Sequence, residues 1–136
     1  MEYTFVVKLL AVRGAITTTA NTPQAIADAV EQLINTLMDA NNIYVEQILT
    51  LFFTTTADLT ALNPATGLRQ RITSLNPTWA RVPLLCSQEP NVPGMLEHCI
   101  RVLVQWQVPD DTSVETIQPV YLEGAASLRP DLPYNG

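Results

Sequence analysis

The sequence predicts an α+β fold, a mixed β-sheet covered mainly on one face by one long helix with short helices beside it. Three observations carry that expectation. Only residues 23–40 repeat their apolar side chains at helical spacing over a long stretch. The other apolar runs are short and rich in strand formers. A chain of 136 residues, 47% hydrophobic and 15% charged, suits a single domain, residues 1–136, with a sizeable core.

Residues 3–13 are aliphatic, aromatic or β-branched at most positions, the pattern of a strand buried on both faces, and Arg13-Gly14 is expected to end it. Residues 16–21 read as a polar loop. Thr22-Pro23 then offers an N-cap followed by proline at the first helical position. Ile26, Val30, Leu33, Ile34, Leu37 and Met38 recur every three or four residues, with Asp28, Glu31, Gln32 and Asp39 elsewhere, so one amphipathic helix runs until Asn41-Asn42 stops it. Residues 48–53 form a second strand, and Thr54-Thr55-Thr56 opens a polar bend.

Asp58 is placed to cap a short helical turn, and Asn63-Pro64 starts a second helix carrying Leu68, Arg69 and Arg71. Beyond Asn76-Pro77 come a short strand at 81–86, a turn at 90–94, a brief helix at 95–98 and a long strand at 99–108. A loop at 109–111 precedes a last strand around 120–123, and the tail from about residue 130 is expected to fray. One main helix covers only one sheet face, so identical subunits are expected to pack together and bury the other.

A net charge of -6 with seven scattered cations argues against a nucleic-acid partner, which would require clustered Lys and Arg. No apolar window reaches membrane-span length, and Glu2, Lys8 and Arg13 interrupt the N-terminal run, so no signal peptide and no membrane partner is expected. Cys86 and Cys99 are the only cysteines in a chain whose core needs no disulfide, which points to a reduced, cytoplasmic setting. His98 is the only histidine. No metal site and no Ser or Cys hydrolase triad is therefore expected. Five singly spaced glycines provide no phosphate loop.

Six of the seven cations are arginine, the side chain that grips a carboxylate with two parallel hydrogen bonds and stays charged when partly buried. The groups left for chemistry stand at element ends: Arg13, Cys86, Glu89, Arg101, Tyr121 and Arg129. From the residues alone two readings stay open. They line a site for a small carboxylate, or Glu89 and Arg101 are a structural ion pair, Tyr121 is a core wall and Arg129 anchors the tail.

Five words of the sequence, in this order, resemble the monofunctional, trimeric bacterial chorismate mutases: Arg13-Gly14-Ala15, Cys86-Ser87-Gln88-Glu89, Cys99-Ile100-Arg101-Val102, Val120-Tyr121-Leu122-Glu123 and Leu128-Arg129-Pro130-Asp131-Leu132. The resemblance spans nearly the whole chain. It implies a homotrimeric pseudo-α/β-barrel with active sites between subunits, no cofactor, and the Claisen rearrangement of chorismate to prephenate. It implies that Arg13 and Tyr121 hold one substrate carboxylate. Arg101 would reach the other carboxylate and the ether oxygen, and Glu89, with Cys86 beside it, the ring hydroxyl. Asn63, Ala65, Thr66 and Arg69 would form a wall donated by a second subunit, while Leu128 and Arg129 would let the tail close over the site.

The sequence departs from the family at Asn63 and Thr66, where an aromatic residue and a lysine are usual, and at Ile16, where threonine is usual. The loop at 109–118 is a few residues longer. Two rival readings share the trimeric form: a deaminase of reactive enamines or imines, and a non-catalytic trimer that binds a metabolite. The Cys86-to-Glu89 word and the Leu128-to-Leu132 word fit the mutase better than the deaminase.

Overall fold

The computed structural model describes residues 6–114 and 116–132, so residues 3–5 of the expected first strand and residues 133–136 of the expected tail lie outside the described residues. Five strands, β1 (Val7–Thr17), β2 (Ile48–Thr55), β3 (Leu84–Gln88), β4 (Cys99–Pro109) and β5 (Val120–Leu122), form one sheet in the order β3-β2-β4-β1-β5. β4 runs antiparallel to β1 and β2, whereas β3 is parallel to β2 and β5 to β1, so the sheet is mixed as expected. Two helices, α1 (Pro23–Asn41) and α2 (Pro64–Ile72), pack on one face.

The local chemistry of α1 is the one its sequence announces. The Thr22 hydroxyl accepts from Ala25 N at 3.1 Å, Pro23 fills the first turn, and Asn42, left-handed at φ 52°, donates its N–H to Met38 O. Ile26, Val30, Leu33, Ile34 and Leu37 are buried against Val12 and Ile16 of β1, Val102, Val104 and Trp106 of β4, and Val120 and Leu122 of β5. This is the hydrophobic core.

Gly14 does not end the first strand. The strand passes through it to Thr17, and a Cβ on Gly14 would lie 2.7 Å from Leu37 Cδ1 and 3.0 Å from the Val120 carbonyl oxygen. Glycine is there so that α1 and β5 can close on β1. Nor is β1 buried on both faces: Val7, Leu9, Ala11 and Arg13 are exposed, because among the described residues nothing of this chain covers that end of the open face.

Three further boundaries shift. β2 continues through Thr54 and Thr55, since Thr54 pairs with Arg101 and Thr55 with Ile100. Asp58 caps no helix; its carboxylate accepts from the Thr56 hydroxyl and, at 2.9 Å, from His98 N. Residues 95–98 form no helix either. Gly94 at φ 82° and His98 at φ 51° turn the chain, and Asp58 and Thr18 N pin the turn to the start of β4. The third strand lies at Leu84–Gln88, later than expected, because Pro77–Arg81 closes into a 3-10 turn first.

Candidate active site

Strand register alone assembles the site. Ala15 of β1 stands opposite Arg101 of β4 on one side and Tyr121 of β5 on the other, Arg13 stands opposite Leu103, and Thr54 of β2 stands opposite Arg101. Alternation along a strand then sends Arg13, Thr54, Arg101, Leu103 and Tyr121 to the open face, away from the helices. Glu89 follows the end of β3, where its N–H donates to Thr55 O at 2.8 Å. Arg13, Glu89, Arg101 and Tyr121 thus share a cavity of about 180 Å³ with Phe52, Thr54 and Leu103.

Two guanidiniums and one carboxylate leave the cleft cationic, suited to an anion. Arg101 and Glu89 form an ion pair, Nε to Oε1 at 3.6 Å, too long for a hydrogen bond, and the buried Nε has no hydrogen-bond partner. The same Oε1 accepts from the Thr54 hydroxyl. Thr54, Phe52 and Leu103 were not anticipated from the sequence. The alternation of Thr50, Phe52 and Thr54 against buried Leu51, Phe53 and Thr55 is the signal that places them on the open face.

Arg129 sits at the rim. Its guanidinium lies 5.8 Å from the centroid of the Tyr121 ring and makes two hydrogen bonds to Asp131, Nε to Oδ1 at 3.1 Å and Nη2 to Oδ2 at 3.0 Å. That pairing holds the Asp131 carboxyl below the ordinary aspartate range. Leu128 packs on the cluster of Ala15, Cys99, Tyr121 and Ala125 beside the cleft.

The remaining candidates are not brought to this cleft within one chain. Cys86 pairs with Phe53 and so faces the helix side of β3, half-buried against the core, where burial pushes its thiol pKa up. Cys99 lies on the open face, and burial likewise raises its thiol, against the pull of Arg101. Asn63, Ala65, Thr66 and Arg69 stand on or at α2: the Asn63 side chain accepts from Ala65 N at 2.8 Å, and Thr66 is exposed. Arg69 donates to the carbonyls of Trp79, Ala80 and Val82, fixing the 3-10 turn that precedes β3.

A larger hollow of about 610 Å³ lies between the end of α1 and the loop after β4, but no charged side chain lines it among the described residues, so nothing there grips a carboxylate. Also among the described residues, no group of three or more His, Cys, Asp and Glu is gathered to hold a metal, and no helix is long and apolar enough to cross a membrane.

Residues 9–132 match the family model described as chorismate mutase type I. The chain is 42% identical over 122 residues to the chorismate mutase AroH of Thermus thermophilus, covering 89% of this chain and 93% of that protein. It is 37% identical over 123 residues to the chorismate mutase AroH of Bacillus subtilis strain 168, covering 89% and 90%. Among solved structures, a chorismate mutase from Clostridium thermocellum superimposes with a TM-score of 0.75 at 35% identity, over 87% of this chain and 98% of that one.

Proposed function

The chain belongs to the chorismate mutase type I family, and from that premise we propose that it converts chorismate to prephenate, on the route to phenylalanine and tyrosine, at the cleft of Arg13, Glu89, Arg101 and Tyr121. The enzyme is an isomerase. A Claisen rearrangement breaks a C–O bond and forms a C–C bond inside one molecule, so it requires no nucleophile, metal or cofactor. It is accelerated by holding the substrate in its compact reactive shape and by fixed positive charge where the breaking bond leaves negative charge on oxygen.

The observation that carries this reading is that Arg101, whose Nε makes no hydrogen bond within the chain, lines one cleft with a second arginine, Arg13. The Arg101 guanidinium, partly exposed in the cleft, meets the ether oxygen of chorismate as the C–O bond breaks and negative charge develops there. Arg13 and Tyr121 hold one carboxylate of the substrate, and Arg101 also reaches the other. Glu89 accepts from the ring hydroxyl. Cys86, the partner assigned to it by resemblance, stands on the other side of β3, opposite Phe53 and against the core.

The functional unit is a homotrimer whose sheets close a pseudo-barrel, in which Asn63, Ala65, Thr66 and Arg69 of one copy wall the cleft of the next. Support comes from the open sheet face, where Leu9 and Leu85 are 67% and 62% exposed beside the cleft strands. Arg69 stiffens that wall through its three carbonyl contacts, and Leu128 and Arg129 close its rim. The enzyme works in the cytoplasm, a setting consistent with two free cysteines on opposite sheet faces.

Incubation of the purified protein with chorismate tests the reading. The diene absorbance of chorismate is expected to decay with prephenate as the sole product, and no decay at any protein concentration would overturn it. Sedimentation should give three times the 15.0 kDa of one chain.

A further inference from the structure

We propose that Thr54 is a positioning residue for the rearrangement: it restrains the Glu89 carboxylate short of a hydrogen bond to its ion-pair partner Arg101. The proposal rests on the assignment of Glu89 and Arg101 to the cleft.

Thr54 stands opposite Arg101 across the β2–β4 ladder and opposite Ser87 across the β2–β3 ladder, between the guanidinium and the segment that carries Glu89. The Glu89 backbone is tied down next door, its N–H donating to Thr55 O at 2.8 Å. The Thr54 hydroxyl donates to Glu89 Oε1, the very oxygen that faces Arg101 Nε at 3.6 Å. Among the described residues no hydrogen bond reaches Oε2, which is left for a substrate hydroxyl.

At 3.6 Å Glu89 and Arg101 already form an ion pair, and the carboxylate is attracted to close the gap into a charge-assisted hydrogen bond. Closing it would tie the guanidinium more tightly to the acid, at the expense of its hold on a substrate oxygen. The Thr54 hydroxyl supplies Oε1 with an alternative partner, and the β-branch of threonine limits the rotamers from which it donates. Glu89 is thereby held beside Arg101 without a hydrogen bond to it.

The test compares kcat and KM of Thr54→Val, Thr54→Ala and Thr54→Ser, with and without Glu89→Ala. Removing the hydroxyl in the valine or alanine variant is expected to lower kcat about tenfold, the scale of one hydrogen bond to a charged group, and serine is expected to restore most of it. In the Glu89→Ala background the Thr54→Val change is expected to add nothing, because the acid it restrains is gone. Full additivity in that cycle, or a lower melting temperature with unchanged kcat, gives Thr54 a structural role only and overturns the proposal. Wild-type kcat in Thr54→Val and Thr54→Ala, with Glu89→Ala impaired, overturns it alone. Wild-type kcat in Glu89→Ala overturns the parent assignment as well. Should valine fail to fold, alanine and serine carry the comparison.

Discussion

Arg101 Nε makes no hydrogen bond within the chain and has Glu89 only at 3.6 Å, so on the proposed mechanism the guanidinium gains its best partner when negative charge develops on the substrate. Replacing Arg101 with Ala is expected to lower kcat by on the order of 10² to 10³, while Arg13→Ala acts mainly on KM; steady-state kinetics of the two variants checks the split. Asp58 offers a pH prediction at the same scale. Burial works to raise its pKa, but the Thr56 hydroxyl, the His98 N–H and the His98 imidazole outweigh burial and hold it below the ordinary aspartate value. The unfolded chain therefore binds this proton first as pH falls. The stabilisation is full above the ordinary aspartate range, about pH 4, and is lost as pH drops through the lower folded value. Asp58→Asn is expected to flatten the fall in melting temperature from about pH 5 to about pH 3 relative to wild type. Arg13, Glu89, Arg101 and Tyr121 stand out in an apolar chain as charge and hydroxyl, but the residues alone left a structural ion pair equally open, and it is strand register that brings the four to one cavity. Thr54 does not stand out, since its importance lies in which residues it faces across two ladders, and register is a tertiary property.

Among the elements, α1 was legible nearly to the residue because its signals are local: a hydroxyl cap, a proline in the first turn, two asparagines at the end. The segment before β4 was not. Its turn is held by Asp58, some 40 residues earlier, and by a left-handed His98, neither of which leaves a pattern in residues 95–98. Gly14 was misread for a related reason: glycine in a strand marks either an end or a close approach, and only packing distinguishes the two. The approach here is severe enough to test. Gly14→Ala sets a methyl against Leu37 and the Val120 carbonyl, and the backbone oxygen cannot turn aside as a leucine can. The variant is expected to lose about 1–3 kcal/mol in urea unfolding. An unchanged midpoint would mean that α1 can lift from the sheet without cost.

For the molecule as a whole, the sheet is finished on one side and unfinished on the other. The helix side is a continuous core, while the cleft side offers Leu9, Leu85, Phe52 and Leu103 around two arginines. Replacing Leu85 with Lys is expected to lower the sedimenting mass and the activity together while leaving the circular-dichroism spectrum of the folded chain intact. Retained mass would remove β3 from the subunit interface. The side chain of Asn41 bears on a different matter. It donates to Leu37 O at 2.9 Å and to Gln118 O at 3.0 Å and accepts from Gln118 N at 2.7 Å, so the run-in to β5 is buckled to the end of α1. Whatever length of chain loops out between β4 and that buckle, Tyr121 arrives at the same place. The loop is thus a natural handle: a peptide tag or a fluorophore grafted at exposed Ser113 is expected to leave turnover at the wild-type level, giving a way to label, tether or immobilise the catalyst without touching its chemistry.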